Sequence, residues 1–298
     1  MGATEGGAQK ALELLIEGSN KFALDLFKAV AKNNTDNIIV SPTSLMIVLS
    51  LAYTGARGLT AKEMSDVLGL PSSMEDVLIG CNQLLKDLQH PVLKLANKMF
   101  VDESMQLKEE FQKNALEYFL ASAAQVDFGK SEEARQTINS WVEDNTNNKI
   151  KDLFKPGTLD SSSVLVLVNA IHFKAKWLYP FDSEMTEKEK FYVTPDTTVD
   201  VDMMSARDKF LFKHNEELGA KMLVLPYEGD DFHMVIILPD AKDGLAAVEE
   251  KLHTLDLAKE IPTFQNITVS LGLPKFKFEK TMDLNEILQG VNVFFCFV

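Results

Sequence analysis

The sequence predicts an α+β fold. Helix-period patterns occupy the first part of the chain, strand-period patterns dominate from about residue 163 onward, and the two do not alternate as a doubly wound α/β sheet requires. Of the 298 residues, 46% are apolar, enough for a packed core. Against 44 Asp and Glu stand 30 Lys and Arg, for a net charge of -14. That balance disfavours nucleic acid and anionic membrane as partners and suits a neutral or basic protein.

The helical part opens with Leu15, Ser19, Phe22, Leu26 and Val30, a stripe at steps of three and four. A short strand is expected at "NIIV". In "SPTSLMIVLSLAYTGARG", Ser41 stands at the N-cap, Pro42 at the first helical position and Gly55 past the end. This helix is apolar nearly all round from Leu45 to Tyr53, so it belongs at the centre. Thr60 with Glu63 reads as a capping box for the next helix, which stops at Gly69 and Pro71. Ser72 with Glu75 starts another, with Val77, Cys81, Leu84 and Leu88 inward and Glu75, Asp76 and Asp87 outward.

"VLKLANKMFV" alternates as a strand, Leu107, Phe111, Ala115 and Tyr118 mark a helix, and "AQVDF" is a short strand. Ser131 is placed as the cap of a helix presenting Ala134, Ile138 and Trp141. The near-continuous apolar run of "SVLVLVNAIHF" predicts a strand buried on both faces in the middle of a sheet. Six strand patterns follow, "KFYV", "TVDVDMM", "KFLFKH", "AKMLVLPY", "FHMVIILP" and "NITVSLGLPKFKF", with one helix, "GLAAVEEKLH", among them.

Signatures of catalysis and of cofactor binding are missing. The chain has no G-x-G-x-x-G, phosphate loop, H-E-x-x-H or G-x-S-x-G, and its five histidines are dispersed, so neither a metal nor a cofactor is expected. The two cysteines, Cys81 and Cys296, have no metal-ligand spacing and read as free thiols. Met1 is not followed by a basic n-region or a long apolar core, which makes the expected location cytoplasmic if Met1 is the native start and leaves an extracellular one open if it is not. The sequons at Asn33 and Asn266 matter only on the secretory route. What stands out is a polar pair in apolar surroundings. Asn169 interrupts the most apolar strand and Ser44 lies on the first turn of the most apolar helix. Each needs a hydrogen-bond partner, since a buried polar group left unpaired costs about 1–3 kcal/mol.

Four segments, "NIIVSPTSLMIVLSLAYTGARGLTAKEM", "INSWVEDNTNNKIKDLF", "VLVNAIHFKAKWLYPF" and "MVIILPD", together resemble the serpin family of serine protease inhibitors, in the family's order and spacing, with the resemblance running from Lys10 to about Gln289. It implies one serpin-like domain with three β-sheets and eight or nine helices. It also implies an inhibitor and not an enzyme, acting as a suicide substrate on a serine or cysteine protease while the cut reactive loop inserts into the main sheet. By resemblance Ser41, Ser44 and Asn169 belong to the shutter beneath the insertion gap, and Trp177 to the breach where insertion begins. A network that opens for an entering strand must be satisfied in two arrangements, as a bistable element requires.

Residues 290–298, "GVNVFFCFV" from Gly290, depart from the family pattern. No stretch of the chain resembles the family's hinge, reactive loop or final core strands, so the fold is expected to be incomplete at its C-terminus and the polypeptide non-inhibitory and marginally stable. The target protease is therefore not readable. The rival readings are a non-inhibitory protein-binding role, which a specific partner would reveal, and a hydrolase, which turnover of an ester or peptide would reveal.

Overall fold

A computed structural model describes residues 5–32, 34 and 36–277. Asn33, residues 290–298 and Cys296 lie outside the described residues. The described chain divides into two compact units, one running to Lys174 and the other starting at Ala175.

The first unit is built on three apolar clusters. Helix α1 (Glu5–Ala31) buries all five positions of its expected stripe. Helix α2 (Pro42–Gly55) starts after Ser41 and is the most apolar of the unit, burying Met46, Ile47, Leu49 and Leu51. Helices α3 (Gly58–Leu68) and α4 (Met74–Asp87) complete this layer. The contact between α1 and α4 is close because Gly80 carries no side chain: a Cβ there would lie 2.8 Å from the Ala11 carbonyl oxygen. Strand β1 (Leu93–Asp102), helix α5 (Glu109–Phe119), strand β2 (Ala121–Val126), helix α6 (Ser131–Asn145) and strand β3 (Leu165–Phe173) follow.

The sheet order is β2-β1-β3, with β1 parallel to β2 and antiparallel to β3. Side chains alternate between its faces. Met99 and Val101 of β1, with Leu167 of β3, pack against Ile47 and Leu51 of α2. The opposite parity, Phe100 and Val168, packs against Ala134 and Ile138 of α6. Each such buried side chain contributes about 1.5–3 kcal/mol relative to its exposure.

Several local expectations are corrected. "NIIV" forms no strand: residues 37–40 have no regular secondary structure. Helix α3 begins at Gly58, whose φ of 62° turns the chain two residues before Thr60; the cap position is Arg57, and the expected capping box does not start the helix. The cap of α4 is Ser73, not Ser72, accepting from the Asp76 N–H at 3.4 Å. Ser131 is already helical, because a 3-10 turn at Phe128–Lys130 runs straight into α6. Finally, β3 is the last strand of its sheet among the described residues, and only Val168 and Ala170 of it are buried. Its apolar run reflects two covering helix layers, with no second strand neighbour among the described residues.

The second unit is mainly β. Strand β4 (Thr186–Thr194) pairs with the start of β5 (Thr197–Asn215), β8 (Gln265–Pro274) with its middle, and β6 (Ala220–Pro226) with its end. Strand β7 (His233–Pro239) then pairs with β6. Where the sequence shows two strand patterns, "TVDVDMM" and "KFLFKH", the chain makes one strand of 19 residues that stitches two sets of neighbours into one sheet. Helices α7 (Leu245–Lys251) and α8 (Leu257–Glu260) accompany it.

Candidate functional site: a polar relay between helix and sheet

On β3, Leu165, Leu167, Asn169, Ile171 and Phe173 share one parity, and on β1 Leu93, Leu95, Asn97, Met99 and Val101 do. Asn97 and Asn169 are direct partners in the antiparallel register. Two carboxamides therefore face each other in the middle of an otherwise apolar surface, on the side covered by α2.

The Ser44 hydroxyl of α2 donates to Oδ1 of Asn169. Asn169 Nδ2 donates to Oδ1 of Asn97 at 2.6 Å. Asn97 Nδ2 donates to the Phe119 carbonyl, at the end of α5, at 2.9 Å. The direction of this relay is fixed by its last member. A carbonyl can only accept, so Asn97 turns its NH2 toward Phe119 and its oxygen toward Asn169; Asn169 must then donate, leaving its own oxygen for the Ser44 hydroxyl. Four elements, α2, β3, β1 and α5, are tied by one uncharged chain of donors.

Two other hydroxyls of α2 bond within their own helix. Thr54 Oγ1 donates to the Leu51 carbonyl at 2.8 Å, and Ser50 Oγ contacts Met46 Sδ at 3.6 Å. Burial pushes the nearby Cys81 thiol up to about 12, against the opposing pull of a Ser50 hydrogen bond, so the thiol stays protonated and inert near neutrality. Among the described residues no group of three His, Cys, Asp or Glu gathers as a metal site would need. No helix among them is long and apolar enough to cross a membrane.

Of the residues singled out in the sequence, Ser44 and Asn169 come together. Ser41 sits at the N-cap of α2, where its carbonyl accepts from the Leu45 N–H at 3.2 Å and its side chain makes no cap bond. Trp177 belongs to the second unit. There it stacks on Tyr227, ring centroids 4.5 Å apart and planes 11° apart, meets Phe181 edge-on at 6.4 Å, and packs on Phe210, Leu223 and Leu225. Backbone bonds from Leu178 to Pro226 and from Glu228 to Lys176 hold that bridge. Asn266 is exposed at the start of β8. Asn97 is the member the sequence reading missed. Its signal is the same as that of Asn169, an asparagine in the apolar parity of an alternating strand.

The comparisons with known proteins agree on one family. The family model described as Serpin (serine protease inhibitor) matches residues 17–297. Serpin B4 of Homo sapiens is 36% identical, covering 94% of this chain and 78% of the relative. Leukocyte elastase inhibitor of Bos taurus is 37% identical, covering 95% and 78%. Among solved structures, Cleaved Serpin 42Da superposes with a TM-score of 0.89 at 37% identity, covering 95% of this chain and 76% of that one.

Proposed function

The chain belongs to the serpin family and has its α+β fold, and from that premise we propose that these 298 residues are an inhibitor scaffold built to accept a strand beside β3. Members of this family are protease inhibitors and not enzymes, so the hydrolase reading falls away. The observation that carries the proposal is the relay from Ser44 through Asn169 and Asn97 to Phe119. In this reading Ser44 and Asn169, with Ser41 at the head of the same helix, form the shutter, and Trp177 marks the breach. The residues make a single family domain with an atypical tail.

The physics of the relay suits a gate. Its members are neutral, so no charge must be desolvated or neutralised when they part. Asn169 carries two donors and an acceptor with two lone pairs, so it can exchange Ser44 for an incoming backbone group without being left unpaired. An entering strand would gain main-chain bonds along β3, which is apolar and has one strand neighbour among the described residues. Stored conformational energy of this kind is what the family's trap releases on its protease, a serine or cysteine protease in this reading.

No stretch of the 298 residues resembles the family's reactive loop, so the polypeptide by itself is expected not to trap a protease. One experiment tests both halves. The polypeptide and a chimera carrying the C-terminal segment of Serpin B4 after Lys277 are incubated with a panel of serine and cysteine proteases. The chimera is expected to give a detergent-stable covalent complex and the parent none. An adduct with the parent refutes the non-inhibitory reading; a chimera that folds and is cut without forming a complex refutes the scaffold reading.

A further inference from the structure

The β4–β5 ribbon of the second unit has two unlike faces. Register partners across an antiparallel pair share a face. One face carries Lys188 opposite Asp202 and Lys190 opposite Asp200, both ion-paired, at 2.8 and 2.7 Å. Tyr192 lies on that face too, with the Lys242 ammonium 3.4 Å from its ring centroid. Every cation and aromatic on this side has a partner in place.

The other face is different. Phe191 is opposite Val199, Glu189 opposite Val201 and Glu187 opposite Met203. Its apolar side chains stand in solvent: Phe191 and Val199 are each 44% exposed. Both glutamates face an aliphatic or thioether side chain where the opposite face supplies a counter-ion. Glu189 also lines a groove of about 690 Å³, together with Tyr179, Met185, Ser205 and Ser270. Asp182 is a second acidic residue of that lining, and Arg207 is its one basic residue.

We infer that this face of the β4–β5 ribbon, with the groove that Glu189 lines, is an interaction surface for a basic segment of a partner protein: aliphatic or aromatic side chains seat on Phe191 and Val199, and Lys or Arg side chains reach Glu187, Glu189 and the groove. Charge selects this occupant. A second copy of the chain would bring the same glutamates and a net charge of -14 against themselves, and an anionic lipid surface is repelled for the same reason. Contiguous exposed apolar side chains rimmed by charge of one sign mark such surfaces. The inference concerns the second unit alone and does not depend on strand insertion at β3.

The test uses the full chain and two fluorescent extended peptides of equal length, one alternating Lys with Val and one alternating Glu with Val. The Lys/Val probe is expected to bind, more weakly as salt rises, and the Glu/Val probe not to bind. Phe191→Ser combined with Val199→Ser should weaken the Lys/Val probe about tenfold or more, and Glu189→Lys about three- to tenfold, while Lys190→Ser on the opposite face leaves it unchanged. Should the double variant fail to fold, Glu189→Lys decides, since that side chain is exposed. Equal binding of both probes, loss on Lys190→Ser as large as on Glu189→Lys, or a self-associated parent in sedimentation would each overturn the inference.

Discussion

Strands β3 and β4 are each the last of their sheet among the described residues, and they treat that position in opposite ways. Strand β4 carries Glu187, Lys188, Glu189 and Lys190 in succession and is exposed along nearly its whole length. Charged side chains on an edge discourage pairing with another strand, because an incoming chain would have to strip water from them. Strand β3 has no Lys, Arg, Asp or Glu between Leu165 and Phe173. Its one strongly polar group in mid-strand, Asn169, is turned toward α2 and already bonded there. One end strand is guarded and the other open, which is the asymmetry expected if strands are to enter beside β3 and nowhere near β4.

The largest expected effect separates the two sheets by burial. Phe100 of β1 is fully buried against α6, while Phe191 of β4 is 44% exposed. Phe100→Ala should destabilise the chain by about 3–5 kcal/mol in urea unfolding, the usual cost of emptying an aromatic core site. Phe191→Ala should change stability by less than about 0.5 kcal/mol, as surface substitutions do. Comparable losses at the two positions would mean that the ribbon is covered in solution and the comparison wrong.

Next in size is the relay. Asn97→Ala leaves the Asn169 amide without its acceptor, and Asn169→Ala strands the Ser44 hydroxyl; each should cost about 1–3 kcal/mol. The sharper measurement is the cycle of Ser44→Ala, Asn169→Ala and the double variant. Groups that share one hydrogen bond should couple by about 0.5–3 kcal/mol, whereas additive losses would show that the two side chains do not act together.

How much of this could be read from the residues follows from where the information lies. The stripe of α1, the central burial of α2 and the alternation of β1 are local periodicities, and each was legible. Ser44 and Asn169 were legible as polar residues needing partners, but their pairing spans 125 positions and became readable only through resemblance. Asn97 carries the same local signal, but Lys94 and Lys98 make its strand less apolar than that of Asn169, so the asparagine stands out less. The cap moved three residues earlier at α3, where Gly58 turns the chain, one residue earlier at α6, where a 3-10 turn precedes the helix, and one residue later at α4, all without altering the apolar stripes. The exposed face of the β4–β5 ribbon was invisible because "KFYV" has the composition of a half-buried strand, and only the register shows which side chains lack a cover.

The smallest expected effect tests whether the charged face of the ribbon guards or stabilises. A hydrogen bond from Lys188, reinforced by its charge, holds the Asp202 carboxyl below the ordinary carboxylate range. A carboxylate with a depressed folded value contributes its stability above the unfolded pKa and loses it as pH falls through the folded one, so any contribution here is complete at neutral pH and disappears only in acid. Both side chains are well exposed, at 69% and 51%, where water and salt screen the pair. Lys188→Met should therefore return the Asp202 titration, followed by carboxyl NMR, to the ordinary range while leaving the neutral-pH unfolding midpoint almost unmoved. If the midpoint falls sharply, the charges of β4 are structural supports and not edge guards. If Asp202 already titrates normally in the parent chain, the ion pair does not persist in solution, and the contrast with β3 must then rest on the charges of β4 alone.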